Sequence, residues 1–115
     1  MTPAEGGVDM RGDDMSKVAM WVRLPLKPGT RDEAAAAFQT AVDNVQSEDG
    51  TLLYILHAED ADADALFVYE LYTGQDALVA HSSADWFKEF GPTLAPFMAG
   101  RPEMHFLAPL TGKGL

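Results

Sequence analysis

Polar and apolar residues alternate along this chain with two different periods. Period-two alternation or a short, continuous apolar run, both typical of β-strands, occurs four times. Helical spacing occurs after the first and after the third of these segments. The predicted strands are residues 18–26, 51–58, 66–72 and 103–110, and the predicted helices are residues 31–47, residues 75–82 and a stretch from residue 84 to about residue 98.

The first helix has the clearest signals. Thr30 and Glu33 have the spacing of a capping box, in which the hydroxyl accepts from the backbone N–H three residues later. Gly50 ends the segment. In the last helix, Pro92 and Pro96 are expected to break or kink the backbone, because proline lacks an N–H group. One apolar stripe predicts the buried face of the first helix and comprises Ala34, Ala37, Phe38, Ala41, Val42 and Val45.

The order of the elements predicts the fold class. A βαββαβ sequence is the ferredoxin-like α+β arrangement, a four-stranded antiparallel sheet with its helices on one face. The second and third strands are apolar on both faces, whereas a sheet with one face in water alternates. We therefore expect a homodimer in which two sheets pack face to face, with a small-molecule cavity between sheet and helices in each subunit.

Length and composition define the domain. The chain has 115 residues, which corresponds to one domain of common size. Residues 1–15 contain Gly, Asp and Pro without any period and are expected to be a disordered extension. Residues 16–115 are then the single folded domain.

Charge and residue usage exclude several classes of function. The net charge of −10, with only eight Lys and Arg, disfavours binding to nucleic acid. The absence of cysteine excludes disulfides, a thiolate nucleophile and cysteine-based metal sites, and three scattered histidines have no metal-ligand spacing. The acidic run of residues 59–65 is expected to be a solvated loop rather than a calcium site. No apolar segment is long enough for a membrane span, so a cytoplasmic location is expected.

Candidate chemistry is concentrated in the third strand and the helix after it. Glu70 is a carboxylate within an apolar strand, and Tyr72 lies two residues later on the same face. His81 has helical spacing with Ala77 and Leu78, so it belongs to the side that faces the sheet. The three side chains are expected to converge in the interior. A purely structural alternative pairs Glu70 with Arg23 or Arg101 and treats His81 as a satisfied core histidine.

The motifs in this order resemble the antibiotic biosynthesis monooxygenase family of dimeric α+β barrel domains. They extend over residues 18–110 and comprise Lys27-Pro28-Gly29, Glu48-Asp49-Gly50-Thr51-Leu52-x-Tyr54, Phe67-x-x-Glu70-x-Tyr72 and Ala77-Leu78-x-Ala80-His81 followed by Phe87. The resemblance implies a cofactor-independent monooxygenase that uses O₂ to oxidise a phenolic or quinol-type compound, with neither a metal nor a cofactor.

The resemblance also suggests roles for individual residues. His81 is expected to act as general base, since histidine ordinarily titrates at about pH 6.5. Glu70 and Tyr72 are expected to assist it. Tyr54 is expected to bind a substrate oxygen, and an apolar wall for a flat ring is expected from Trp86, Phe87, Phe90 and Phe97.

Other proteins that share this domain have different functions. Haem-degrading enzymes use an Asn, a Trp and a His at positions that here hold Val22, His81 and Gly91, so haem degradation is disfavoured. A sugar-phosphate isomerase with this domain has similar residues in the third strand and the helix that follows it. Two alternatives therefore stay open: an isomerase or lyase of a small oxygenated metabolite, with or without a phosphate group, and a non-catalytic small-molecule-binding module. His57 and His105 are interpreted as structural or dimer-facing.

Overall fold

The computed structural model describes residues 16–115, and the expectation for residues 1–15 lies outside this range. Four strands and four α-helices follow one another, with a 3₁₀ turn at Ala95–Phe97 before the last strand. The elements are β1 (Val18–Pro25), α1 (Arg31–Ala37), α2 (Gln39–Val45), β2 (Thr51–His57), β3 (Ala65–Tyr72), α3 (Gln75–Ser83), α4 (Asp85–Leu94) and β4 (Glu103–Leu107).

The strands form one antiparallel sheet in the order β2-β3-β1-β4. With helices on one face, this is the predicted ferredoxin-like arrangement, so the expected fold class is confirmed. None of the helices within residues 16–115 is long and apolar enough to cross a membrane.

The helix-facing side of the sheet contains the core. Alternate residues of β1 and β3 point toward the helices, as the period of two requires. Phe38 and Phe90 meet edge to face between the helices, with ring centroids 5.0 Å apart. The buried apolar cluster comprises Met20, Val22, Leu24, Leu26, Ala34, Phe38, Ala41, Leu66, Val68, Tyr72, Leu78, Phe90 and Leu94.

The opposite face of the sheet is rich in apolar side chains, and none of the helices within residues 16–115 covers it. We call it the open face. Its strand register places Leu53, Leu71, Ala19 and Leu107 in one row across all four strands. In the neighbouring rows Trp21 stacks on Phe67, with ring centroids 5.5 Å apart. Leu53, Ile55 and Leu107 are each more than one third exposed.

Three local predictions differ from the structure. The predicted first helix is divided into α1 and α2 at Phe38, which keeps helical angles, so the direction of the chain is preserved. The Thr30 hydroxyl donates to the Lys27 carbonyl instead of capping the helix, because the preceding turn brings that carbonyl within 2.8 Å. Helix α4 continues through Pro92, where the residue is exposed and water can bind the carbonyl group that proline leaves unpaired.

Gly50 determines how closely the turn before β2 approaches α3. A Cβ atom at this position would lie 2.5 Å from the Cβ of Ala77. We expect Gly50→Ala to lower the free energy of unfolding by about 1–3 kcal/mol, the usual effect of overpacking. Denaturant unfolding measures this change. Gly91→Ala is the control, since beyond the adjacent backbone of α4 no atom lies within 4 Å of its added methyl group. Equal stability of the two variants would contradict the prediction.

Candidate active site

His81 lies on the inner side of α3, where helical spacing places it beside Leu78. Its side chain is only 3% exposed. The rings of Tyr54, Tyr72 and Trp86 surround it with centroid distances of 5.4 Å each, and that of Phe87 with 5.0 Å. The imidazole is thus enclosed by two phenols and two apolar rings, which restricts its access to water.

Glu48 is the direct partner of His81, and sequence reasoning did not select it. Its Oε1 atom lies 2.9 Å from His81 Nδ1 and also accepts a hydrogen bond from the Thr51 hydroxyl at 2.7 Å. Its Oε2 atom accepts from the Trp86 indole N–H at 2.8 Å. One carboxylate in the turn between α2 and β2 therefore connects that turn to both α3 and α4.

The surroundings of Glu48 favour its ionised form. Partial burial raises the pKa of Glu48, but hydrogen bonds from His81, Thr51 and Trp86 outweigh it and hold the pKa below its ordinary value of 4.5. Because the folded pKa is lowered, the contribution of Glu48 to stability is present above pH 4.5. It is lost as the pH falls through the folded pKa.

Glu70 and Tyr72 form a second buried pair behind the histidine. The Tyr72 hydroxyl donates to Glu70 Oε1. Burial raises the pKa of Glu70, and the hydrogen bond from Tyr72 opposes this only in part. Burial and the charge of Glu70 also raise the pKa values of Tyr72 and Tyr54, so both phenols remain hydrogen-bond donors. Arg23 instead pairs with Asp62 and Glu103 on the open face, so the proposed pairing of Glu70 with Arg23 is wrong.

The buried carboxyl group of Glu70 gives a testable pH dependence. Because its folded pKa is raised, its contribution to stability is present below pH 4.5 and is lost as the pH rises through the folded pKa. Gln at this position still accepts from Tyr72 and avoids the buried charge. We expect Glu70→Gln to be more stable than wild type at neutral pH, with a difference that disappears below pH 4.5.

Denaturant unfolding at several pH values measures this difference. Glu89→Gln, at an exposed position of α4, is the control for removal of one carboxylate. A Glu70→Gln variant that is less stable than wild type at neutral pH would show that the carboxylate itself is required.

The predicted aromatic wall is only partly found beside His81. Trp86 and Phe87 contact the imidazole. Phe90 is instead buried against Phe38 in the core, and Phe97 packs against the same core cluster. Helical spacing identifies the inner side of α4, but it does not separate side chains that fill the core from those that border a cavity.

A cavity of about 290 Å³ lies between the α2–β2 turn and α3, and His81 is part of its wall. A cavity was expected between helices and sheet, whereas this one lies beside the turn that precedes β2. Small side chains on α3 leave the space open. The lining residues are Ser47, Glu48, Asp49, Gly50, Thr51, Ala77, Ala80, His81, Ala84 and Trp86. In the part of the chain that the structure describes, no three His, Asp or Glu side chains gather as a metal site would require.

A sequence profile of the family described as antibiotic biosynthesis monooxygenase matches residues 18–92, more than half of the chain. The chain belongs to this family. The matched region contains β1 to β3, α3 and most of α4. The part of this chain that matches the antibiotic biosynthesis monooxygenase domain therefore includes all the residues described above as contacts of His81.

Relatives of known structure have the same fold. A Caulobacter crescentus protein, provisionally assigned as an antibiotic biosynthesis monooxygenase, is 28% identical with a TM-score of 0.79, over 85% of this chain and 93% of its own. A Mycobacterium tuberculosis protein is 25% identical with a TM-score of 0.76, over 86% of this chain and 100% of its own. An uncharacterised Synechocystis protein is 24% identical over 71% of this chain, which spans only 55% of that relative's length.

Proposed function

We propose that the protein is a cofactor-independent monooxygenase that oxidises a phenolic or quinol-type small molecule, with His81 as general base. The observation that carries this proposal is the position of His81. It is a buried imidazole in the wall of a 290 Å³ cavity, surrounded by phenols and apolar rings. General-base catalysis requires such a group within hydrogen-bond reach of the proton that it removes.

The reaction needs no electron donor other than the substrate. Loss of the phenolic proton to His81 makes the ring electron-rich enough to react with O₂. One ring C–H carbon gains an oxygen atom and becomes a quinone carbonyl, and the second oxygen atom leaves as water. The substrate supplies all four electrons, and phenol plus O₂ balances quinone plus water.

The neighbouring groups suit this chemistry. Tyr54 and Tyr72 remain protonated. The one proton of the Tyr72 hydroxyl is donated to Glu70, so Tyr54, whose ring lies beside His81, is the phenol that we propose donates to the substrate oxygen. Glu70 orients the Tyr72 hydroxyl by accepting its hydrogen bond. Trp86 lines the cavity, and its indole is a surface against which a flat ring can pack.

The charge of the cavity favours this function over the isomerase alternative. Its wall contains two acidic residues, Glu48 and Asp49, and neither Lys nor Arg is among its lining residues. A phosphate group would meet negative charge without a basic partner, whereas a neutral phenol would not. We therefore propose neutral, uncharged ring substrates rather than phosphorylated ones.

A homodimer is part of the same proposal. The open face exposes the apolar side chains of Leu53, Ile55 and Leu107, and no helix within residues 16–115 covers it. Face-to-face packing of two sheets would bury this surface and leave the cavity beside α3 on the outside of each subunit. Such isologous pairing is the commonest form of association among soluble oligomers.

Oxygen consumption by metal-stripped protein tests the proposal. An oxygen electrode should record uptake with neutral quinols and polyphenols in the presence of a chelator, and little uptake with phosphorylated analogues. Isomer formation from a phosphorylated sugar without uptake would favour the isomerase. Ligand binding without turnover would favour the non-catalytic module.

A further inference from the structure

Three groups bond to the two oxygen atoms of Glu48, and this arrangement determines the tautomer of His81. The Trp86 indole can only donate, and it occupies Oε2. An ionised carboxylate can only accept, so the contact of 2.9 Å at Oε1 requires a proton on His81 Nδ1. In the neutral imidazole the other nitrogen, Nε2, then carries the lone pair.

The rest of the His81 ring supports this assignment. Nδ1 has a hydrogen-bond partner, but across residues 16–115 no side chain bonds to Nε2. A buried polar atom without a partner is costly, by about 1–3 kcal/mol, unless a ligand bonds to it. With the side chain only 3% exposed, a hydroxyl group of a bound substrate is the fitting partner for Nε2.

We propose that Glu48 is the positioning residue that keeps the proton of neutral His81 on Nδ1 and leaves the Nε2 lone pair free to accept the substrate proton. The carboxylate itself does not take up this proton. Its charge also stabilises the imidazolium that forms when Nε2 is protonated. The catalytic consequence rests on the proposed function, whereas the assignment of the tautomer does not.

The hydrogen bonds around Glu48 predict how Glu48→Gln changes the tautomer of His81. An amide has one accepting and one donating end, and the Trp86 N–H repels the donating end. The Gln carbonyl therefore faces Trp86, and its NH₂ group faces Thr51 and His81. Thr51 can rotate its hydroxyl to accept, but His81 can accept on Nδ1 only by moving its proton to Nε2. The variant should therefore exchange the tautomer and occupy the nitrogen that the reaction needs.

Nitrogen-15 NMR of the His81 ring tests this without any substrate. Wild-type protein, at a pH where the ring is neutral, should have a protonated Nδ1 and an unprotonated Nε2. Glu48→Gln should exchange the two. Trp86→Phe is the matched control: it also loses one bond to Glu48 but keeps the carboxylate, so it should retain the wild-type tautomer.

The activity readout is separate from the spectroscopic one. If the proposed monooxygenase activity is present, Glu48→Gln should lower kcat/KM by on the order of 10²–10⁴. If wild-type protein has no activity, the NMR result still decides the tautomer. A proton on Nε2 in neutral wild type would overturn the inference, even if Glu48→Gln fails to fold. An unchanged tautomer in a folded Glu48→Gln variant would also overturn it.

Discussion

His81→Gln is expected to lower kcat/KM for oxygen-dependent turnover by on the order of 10²–10⁴, the usual contribution of a general base. Glutamine has a similar length and can still hydrogen-bond to Glu48, which lies 2.9 Å from Nδ1 in the wild-type protein. It cannot accept a proton at neutral pH. Initial rates of oxygen uptake with a neutral quinol measure the effect.

The chain provides matched controls for this substitution. His57 and His105 both belong to the open face of the sheet, on the other side from His81. His57→Gln and His105→Gln remove the same imidazole group without contact with the cavity, so their rates should remain close to that of wild type. Wild-type rates in a folded His81→Gln variant would rule out His81 as the base.

Ile55→Asp is expected to convert the proposed dimer into a monomer. Ile55 is 42% exposed on the open face, where a second sheet would cover it. Burial of an unpaired carboxylate costs several kcal/mol, and a symmetric dimer would bury two. The dissociation constant should rise by on the order of 10² or more. Sedimentation equilibrium measures this as a shift toward the monomer mass of 12.4 kDa.

Val79→Asp is the control for added charge. Val79 is 52% exposed on α3, on the helix side of the molecule, and its substitution introduces the same carboxylate away from the open face. This variant should sediment as wild type does. A wild-type protein that sediments as a monomer at high concentration would contradict the proposed dimer.

Periodicity predicted the elements that carry the site. The period of two in β3 placed Glu70 and Tyr72 on one face, and helical spacing in α3 turned His81 toward them. The structure has all three on the inner side, with the rings of Tyr72 and His81 5.4 Å apart. These positions were predictable because regular elements fix the direction of each side chain.

Glu48 could not be predicted in the same way. It lies in a turn, which has no period, and 33 residues separate it from His81. The contact depends on β2 pairing with β3 and on the close approach of Gly50 to Ala77 on α3. Two signals were available: Glu48 begins one of the motifs that carry the family resemblance, which gave it no role, and it is an acidic residue three positions before an apolar strand, as occurs at many solvated turns.

The position of the cavity depends on side-chain volume rather than on pattern. Space remains between α3 and the α2–β2 turn because the side chains of Ala77, Ala80 and Ala84 are small. Phe90 and Phe97 instead fill the space beneath α4. A sequence pattern shows only whether each of these alanine and phenylalanine side chains points toward the core or toward solvent. Their effects on the cavity follow from how far apart the packed elements lie.

Turnover under ¹⁸O₂, with mass spectrometry of the product, tests the central claim most directly. A cofactor-independent monooxygenase should place one ¹⁸O atom in each product molecule, release the other as water and form no hydrogen peroxide, with chelator present throughout. Unlabelled quinone together with one equivalent of hydrogen peroxide would contradict the account, because the protein would then be an oxidase that transfers electrons to O₂ without inserting oxygen.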